Sequence, residues 1–507
     1  MSNTQQLGEK SAQRIIKSTA IIGGANAVGT LLQIVRVKAF ALLLGPAGIG
    51  LVGIYGSVMS MAAMLGEIGV GSSGVRQVAD AHGNSYRIAS TLFTMRLVTI
   101  VLGITAALSL AVLSKPVSRS MFGNYDYTLP IALLSLGVLF RIISDSQMAV
   151  LNGLRRVSDL ARVNVVGSAL GTPMAIAIVW LMGTGGVAYA TVLPVLATLA
   201  CSWWFIRQLR LVRLSPSWQQ LKTEVLSLLR LGFAFMVIGL LMTGALLVTR
   251  IIFLQRLGLE TTGLFQAAWG IGVTNIDFIL NAMGIDFYPH LTTCIKQDRT
   301  MSNRLVNEQT EVALLLGGPL ILGMLSFAGP LIHVFFSNKF ALATELLRWL
   351  LFGSILKILS WPLGYLIMAR AWAKTMVFVE ILWCSAYVGL IYLGCPYLGV
   401  NSAGYAFVAA YLIYGLTTYV INYSFGGFRW SRASMVLTGT LLLAGMTIMA
   451  LVATAGIAGY LLSGVITLAF GVFSLKKLCN MVDIPAARKI ADRLSLIWPA
   501  IQPTPGT

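Results

Sequence analysis

Long apolar stretches separated by short polar segments dominate the pattern of hydrophobic and polar positions along the chain. A helix needs about 20 predominantly apolar residues to cross a membrane, and about fourteen stretches meet that requirement. The predicted spans are residues 20–44, 47–79, 89–113, 128–150, 162–182, 185–206, 229–254, 264–288, 311–336, 345–369, 375–394, 401–424, 434–454 and 457–476. The second stretch is long enough to include a cytoplasmic extension. The pattern therefore predicts an all-α polytopic membrane protein.

Lysine and arginine are distributed unevenly between the two sets of loops. Every second loop is basic, whereas the opposite loops hold only Lys115, Arg119, Arg256 and Lys339. Cytoplasmic loops carry the excess of basic residues in membrane proteins. We therefore expect the N-terminus and the C-terminus in the cytoplasm, which requires an even number of spans. The polar first 19 residues argue against a cleavable signal peptide.

The longest inner loop, residues 207–228, divides the predicted spans into two sets. It contains three arginines and Pro216 and follows the sixth span. We interpret it as a linker between two six-helix lobes, with two helices appended after the second lobe. The predicted organisation is a cytoplasmic segment 1–19, an N-lobe 20–206, the basic linker 207–228, a C-lobe 229–424, two additional helices within 425–476 and a cytoplasmic tail 477–507.

A short internal repeat supports this division. The segments 44–51 and 257–264, which follow the first and seventh spans, both read Leu-Gly-x4-Gly-Leu. Arg36 and Arg250 precede them near the outer ends of those spans, one residue apart in register. Because both copies run from inside to outside, the sequence predicts a parallel repeat, with its pseudo-twofold axis along the membrane normal.

Composition agrees with a membrane bundle and excludes several classes of protein. The 507 residues are 57% hydrophobic and only 10% charged, with a mean hydropathy of +0.83, whereas soluble domains carry about 25% charged residues. The net charge of +19 follows from the basic loops, and no module typical of nucleic-acid binding is present. The five cysteines are scattered without metal-binding or redox spacing, so we expect free thiols.

Basic residues inside the predicted spans are the first candidates for a functional site. A charge at the centre of a membrane helix costs about 2.5–3.5 kcal/mol on insertion scales, so such residues generally face partners or water. Arg36, Arg96 and Lys357 lie roughly two or more turns from a span end, and we predict that they line a cavity. Arg250 and Lys38 lie nearer outer ends, where a long side chain can also reach the interface. All five are candidate substrate-binding residues.

Acidic residues inside the spans are candidates for coupling to protons. Glu67 and Glu380 lie deep in their spans without a sequence-local partner. Each forms either a buried pair with Arg36 or Lys357 of another helix or a site of protonation during transport, because burial favours the neutral form of a carboxyl group. Asp277 is a further candidate, lining the cavity of the second half.

Motifs for ATP-driven, metal-dependent or triad chemistry are missing from the sequence. There is no Gly-x4-Gly-Lys-Ser/Thr loop, no His-Glu-x-x-His segment and no spacing typical of a catalytic triad. We therefore expect a transporter rather than an enzyme, with no cofactor and no metal. Transport would draw on an ion or proton gradient, on the substrate's own downhill movement or on a partner.

Four segments resemble a known group of transporters. They read LLGPAGIG at 43–50, GVGSSGVR at 69–76, TGLFQAAW at 262–269 and DFYPHLT at 286–292. With the two six-helix halves, they are similar to the multidrug/oligosaccharidyl-lipid/polysaccharide (MOP) exporter superfamily, and within it to the Wzx-type O-antigen translocases. The resemblance covers roughly residues 15–425. His290 stands where the family more often has Arg, and the appended helix pair resembles the lipid II flippases instead.

The resemblance implies an activity. Such proteins are thought to move undecaprenyl-diphosphate-linked oligosaccharide from the inner to the outer leaflet of the bacterial cytoplasmic membrane, by rocking around a central cavity. It also implies a cavity arginine at Arg36, and it makes other polysaccharide assembly proteins candidate partners. A multidrug antiporter of the same fold and a polytopic polysaccharide polymerase or glycosyltransferase are the alternatives. Deep basic residues favour an anionic substrate over a cationic drug, and short outer loops disfavour the enzyme.

Overall fold

The computed structural model describes residues 2–81, 85–208 and 218–481. These residues form α-helices and three short 3₁₀ turns, Gly183–Gly186, Asn338–Phe340 and Gly399–Asn401, and include no β-strand. The α-helices are α1 (Ser2–Glu67), α2 (Val70–Asp80), α3 (Ser85–Phe122), α4 (Thr128–Gly153), α5 (Val157–Met182), α6 (Val187–Arg207), α7 (Trp218–Leu257), α8 (Leu259–Gln297), α9 (Arg299–Ser326), α10 (Ala328–Phe335), α11 (Ala343–Ala369), α12 (Ala373–Leu398), α13 (Ser402–Gly426), α14 (Arg432–Thr454) and α15 (Gly456–Met481).

Ten segments of the described chain are long and apolar enough to cross a membrane. Three of them, Val28–Glu67, Val157–Arg207 and Ala373–Gly426, each contain two helices joined by a kink or a 3₁₀ turn. Helix α8 adds another 39 residues. If each of these three segments is counted as two helices and α8 is added, the described chain has fourteen long helices, the number that the hydropathy pattern predicts. The predicted all-α polytopic fold is therefore confirmed.

Helix α1 holds the first two spans without an intervening loop. Gly45 interrupts it with a non-helical backbone, φ 67° and ψ −166°. That conformation suits glycine because glycine has no Cβ atom. Pro46 follows at the first position of the new helical segment, where its missing N–H costs nothing. The predicted stretch 47–79 is broken once, at Ile68 and Gly69, which both have positive φ, and the short helix α2 follows.

The backbone repeats its local conformations along the chain. Residues of positive φ recur at equivalent points, each second copy about 215 positions after the first. The matched pairs are Gly45 with Gly258, Arg155 with Ala371, and Gly183 with Gly399. The last pair ends α5 and α12, each of 26 residues, and a 3₁₀ turn follows both helices. This agreement supports the internal repeat inferred from Leu-Gly-x4-Gly-Leu.

The first compact unit comprises Met1–Leu264 and Phe335–Lys339. Helices α1, α4 and α6 share its apolar core, in which Ile54, Ile131 and Val187 are fully buried. Helix α7 belongs to this unit and packs along α1, α2 and α3.

The second compact unit comprises Phe265–Val334 and Phe340–Thr507. Helix α11 packs against α9 and α13, with Leu350, Ile355 and Leu363 buried. Helices α14 and α15 pack against each other and against α9. Residues 209–217 of the predicted linker and 482–507 of the predicted tail lie outside the described residues, so the lobe boundaries stay predictions.

Candidate functional site

Arg250 is the most enclosed of the candidate arginines. It lies on α7 with 7% of its surface exposed, and its guanidinium donates a hydrogen bond of 2.7 Å to the Ser57 hydroxyl on α1. That hydroxyl donates in turn to the carbonyl oxygen of Gly53, 2.9 Å away. A guanidinium stays charged in proteins and offers five N–H donors, so this contact places a positive charge inside the helix packing.

A second arginine contacts α1 one turn further along. The i, i+4 spacing of Arg141 and Asp145 on α4 predicts a local ion pair, and the structure has it at 3.4 Å. Arg141 also donates to the Ser60 hydroxyl at 3.2 Å, a contact that no local sequence signal indicates. Both members of the pair interact electrostatically with Glu67, whose carboxylate accepts from the amide of Gly71 at 2.7 Å.

The remaining basic candidates of the first unit lie on α1 and α3. Lys38 donates from its ammonium group to the backbone carbonyl of Phe336. Arg36 is partly exposed and Arg96 is exposed. The structure places neither guanidinium in a hydrogen bond or ion pair with a described residue.

A separate polar cluster lies inside the second unit. Lys357 of α11 forms an ion pair with Asp277 of α8 and lies over the ring of Tyr411, 5.7 Å from its centroid. Glu380 of α12 is 4% exposed, accepts a hydrogen bond from the Tyr414 hydroxyl and interacts electrostatically with Lys357. Its Oε2 atom has no hydrogen-bond partner among the described residues.

The two groups differ in the chemistry that they offer. The first unit presents Arg250 beside the neutral hydroxyl of Ser57, an arrangement that suits the oxygens of a phosphate group. In the second unit, Asp277 and Glu380 share the cation Lys357. One carboxyl group of this cluster is therefore in excess, and such a group can take up and release a proton.

Of the eight candidate residues, the structure brings Asp277, Lys357 and Glu380 into one cluster. The sequence identifies all three as charged residues inside predicted spans. It predicts Glu67 or Glu380 as the partner of Lys357, whereas the structure has Asp277 in the ion pair. Asp277 and Lys357 are 80 positions apart, so no spacing rule could have joined them. Sequence reasoning also missed the serine partners, since Ser57 lies 193 positions from Arg250.

The chain is similar in sequence to known proteins of polysaccharide assembly. The sequence profile of the family described as "Polysaccharide biosynthesis protein" matches residues 39–345. The lipid III flippase of Escherichia coli (strain K12) is 23% identical over 383 residues, which are 74% of this chain and 90% of that protein. The named relative is a flippase, which agrees with the expectation of a transporter rather than an enzyme.

Solved structures confirm the MOP fold that the resemblance predicts. An inward-facing multidrug resistance MATE family transporter of the MOP superfamily aligns with a TM-score of 0.68, at 17% identity, over 82% of this chain and 95% of its own. The lipid II flippase MurJ in an inward closed conformation aligns with a TM-score of 0.63, at 13% identity, over 90% of this chain and 98% of its own. At these identities the alignments establish the fold alone.

Proposed function

We propose that this chain, which belongs to the family of polysaccharide biosynthesis proteins, carries a lipid-linked oligosaccharide from the inner to the outer leaflet of the bacterial cytoplasmic membrane. The similarity to a lipid III flippase supports this activity, because the match spans 90% of that relative. The fold supports it too, since a bundle with an internal repeat is typical of transporters that alternate between two open states.

The observation that carries the proposal is the buried Arg250 with its hydroxyl partner Ser57. A charge of this kind is costly in a membrane and marks a substrate pathway by default. Arginine matches the paired oxygens of phosphates better than lysine does. We assign Arg250, Arg36 and Arg96 to a diphosphate headgroup, with Lys38 and Lys357 as further basic residues of the pathway.

The substrate in its finer form is an undecaprenyl diphosphate that bears an O-antigen or related repeat unit. The headgroup and sugar would pass among the polar side chains while the polyprenyl tail stays in lipid, because burying the tail in protein gains nothing over hydrocarbon. The basic loops favour both termini in the cytoplasm. Other polysaccharide assembly proteins are the partners that this role implies.

Glu380 supports a proposal for energy coupling. Its carboxyl group is buried, its Oε2 atom has no hydrogen-bond partner among the described residues, and the nearby cation Lys357 is already paired with Asp277. We assign Glu380 and Asp277 to proton uptake during the cycle, with Glu67 as the corresponding candidate of the first unit. No cofactor is needed for this cycle, and the energy comes from an ion or proton gradient.

A binding experiment separates this proposal from the multidrug alternative. The thermal stability of the purified protein is measured with undecaprenyl diphosphate, with undecaprenyl monophosphate and with a cationic dye such as ethidium. A ligand stabilises the folded state to an extent that grows with its affinity. We expect the diphosphate to stabilise most and ethidium least, with the effect of the diphosphate reduced in Arg36→Ala. Greater stabilisation by ethidium would contradict the proposal.

A further inference from the structure

A row of polar side chains runs along one face of α9 at its beginning, before the helix becomes apolar. The row has a member at every fourth position, namely Arg299, Asn303, Asn307 and Glu311. Residues four apart lie one above the other on a helix. The row is therefore a continuous polar strip at this end of α9.

The strip binds the segment that connects α13 to α14, residues 427–431. Asn303 donates to the carbonyl oxygen of Gly427 at 3.3 Å. Asn307 donates to the carbonyl oxygen of Arg429 at 3.1 Å, and its own side-chain oxygen accepts from the amide two residues further on, at 2.7 Å. The backbone of the connecting segment is therefore fixed on α9, and with it the position from which the Arg429 side chain extends.

Arg370, directly after α11, is held against the end of α13. Its guanidinium donates to the side-chain oxygen of Asn422 at 3.2 Å, and the amide group of the fully buried Asn422 donates to two backbone carbonyl oxygens of its own. A Cβ atom added to Gly426 would overlap the guanidinium. The ring of Trp372 lies over it, with its centroid 5.1 Å from Cζ. The orientation of this half-buried arginine is therefore set on several sides.

Arg299 lies close enough to Arg370 for the two positive charges to repel each other. The pKa of the Arg370 guanidinium is lowered, chiefly by burial and further by the charge of Arg299, although a guanidinium stays charged in proteins. Within the described part of the chain, neither arginine has a carboxylate at ion-pair distance. Like charges without a counter-ion raise the free energy of the folded protein, so the pair is suited to an added anion.

Arg429 supplies a third guanidinium at the same end of the unit. Its side chain is exposed and lies over the ring of Tyr423, 5.8 Å from the centroid. Tyr423 follows directly after Asn422, the partner of Arg370. Three separate elements, α9, α11 and the connecting segment, therefore bring one arginine each to this end of α13.

The three arginines lie at the depth of lipid headgroups. Arg299 is the first residue of one candidate span, Arg370 directly follows another, and Arg429 lies in the short segment between two more. The rings of Tyr423 and Phe425 are exposed at the same helix end, and tyrosine is typical of the headgroup level. Loop charges predict that this end faces the cytoplasm.

We propose that Arg299, Arg370 and Arg429 bind the phosphate of an anionic phospholipid of the inner leaflet, of the phosphatidylglycerol type, with Phe425 beside its acyl chains. A phosphate diester carries one negative charge, and its oxygens accept paired hydrogen bonds from arginine. The bound lipid removes the repulsion between Arg299 and Arg370 and joins the three elements that carry the arginines. The site depends on the predicted orientation in the membrane and not on the proposed transport activity.

The site is separate from the buried charged cluster of the same unit. Lys357 and Arg370 are 13 positions apart on α11, about 20 Å at 1.5 Å per residue. The position at the helix ends favours a lipid of the surrounding membrane. The proposed substrate also carries phosphate, so the experiment has to distinguish the two lipids.

Thermal unfolding of the purified full-length protein tests the site. The protein in detergent is titrated with phosphatidylglycerol, phosphatidylcholine, undecaprenyl diphosphate and inorganic phosphate. A ligand that binds the folded state raises the unfolding temperature according to its affinity. We expect phosphatidylglycerol to act at concentrations about tenfold below those of phosphatidylcholine, because it forms charge-assisted hydrogen bonds without a competing positive charge. Inorganic phosphate should have little effect, because it gains nothing from the lipid interface.

Variants that remove one charge each locate the effect. Arg299→Gln and Arg429→Gln should each raise the concentration of phosphatidylglycerol required by about tenfold, since a hydrogen bond to a charged group is lost. Arg304→Gln is the matched control on α9, because Arg304 is exposed and paired with Glu308 at 2.8 Å. It should respond like the parent. Arg370→Lys keeps the charge but loses the planar fork, so it should bind less tightly than the parent.

The repulsion between the two arginines provides a readout that a merely structural role would not change. In phosphatidylcholine, Arg299→Gln should unfold at the temperature of the parent or above it, because the like charge is gone. In phosphatidylglycerol it should unfold below the parent. A lower unfolding temperature in both lipids would make Arg299 a structural residue and overturn the site.

Other results would overturn the proposal as well. Equal losses for Arg304→Gln and Arg299→Gln would reduce it to general attraction between a basic protein and acidic lipid. Stabilisation by inorganic phosphate equal to that by phosphatidylglycerol would show a site for a free anion. Stronger stabilisation by undecaprenyl diphosphate, weakened in Arg299→Gln, would assign the arginines to the transported lipid. An intact response to phosphatidylglycerol in a protein that flips no lipid-linked sugar would support the site and refute the proposed function alone.

Discussion

Arg250 and Arg36 occupy equivalent places in the repeat but have different surroundings. The sequence predicts that Arg250 lies near enough to an outer end to reach the interface and that Arg36 lies deeper. The structure instead buries Arg250 against Ser57 and leaves Arg36 partly exposed. Sequence reasoning identifies such residues because a charge within an apolar run is conspicuous. It cannot find their partners, because those lie on other helices.

Removing the Arg36 guanidinium should impair transport rather than folding. We expect Arg36→Ala to lower the rate of flipping by about tenfold or more, since a hydrogen bond to a charged group contributes about 1.5–3 kcal/mol. Arg36→Lys should retain part of the rate, and the exposed Lys115→Ala serves as a control. The measurement is surface polysaccharide in a null strain, with the amount of protein in the membrane quantified. Normal polysaccharide with Arg36→Ala would refute its role.

The ion pair between Lys357 and Asp277 should be visible in a double-mutant cycle. Lys357→Met leaves Asp277 without its partner, and we expect a loss of about 1–3 kcal/mol in the free energy of unfolding. Breaking a fully buried pair costs about 3–5 kcal/mol, but the Asp277 side chain is 40% exposed, so solvent screens part of the effect. Lys357→Met with Asp277→Asn should recover stability; additive losses would exclude the coupling.

Glu380 should govern the pH dependence of transport. The titratable groups around it are Lys357, Asp277, Tyr411, Tyr414 and Cys384. We expect Glu380→Gln in proteoliposomes to flip at a rate that responds less to pH than that of the parent, because the amide cannot exchange a proton. Glu308→Gln, which changes an exposed pair with Arg304, is the control. An unaltered pH profile for Glu380→Gln would argue against coupling there.

At the scale of helices, the hydropathy pattern predicts their number but not their ends. Helix α7 begins at Trp218 and α3 continues to Phe122, beyond the predicted spans, because backbone hydrogen bonds continue where the apolar run stops. The breaks at Gly69 and Phe327 fall inside predicted single spans. They arise from local backbone geometry, which leaves no gap in hydrophobicity.

The repeat predicts matched energetic effects at equivalent glycines. Gly183 and Gly399 both have φ 57°, and an added Cβ atom at either meets nothing within 4 Å. Alanine at each should therefore cost about 1–3 kcal/mol, the penalty for a sparsely populated backbone conformation, and should leave flipping unchanged. Gly185→Ala, with open space and no positive φ, is the control. Unfolding measurements that give unequal losses would contradict the equivalence.

At the scale of the whole molecule, sequence and structure agree on a polytopic helical protein of the MOP fold with an internal repeat. This much is predictable because span length, loop charge and glycine spacing are local properties of the chain. The close contact of Gly50 with Gly263, where a Cβ atom added to either glycine would lie 3.1 Å from the amide nitrogen of the other, is not predictable from the two motifs. The motifs are identical in form, but their meeting depends on helix packing rather than on any local property of the chain.

Flipping by the purified protein tests the central claim most directly. The chain is reconstituted into liposomes that carry a fluorescent oligosaccharide on undecaprenyl diphosphate in one leaflet, and arrival in the other leaflet is followed by a membrane-impermeant quencher. We predict transfer well above protein-free liposomes for the diphosphate-linked sugar, and little transfer of a cationic drug under the same conditions. Transfer of the drug without transfer of the lipid-linked sugar would contradict the account.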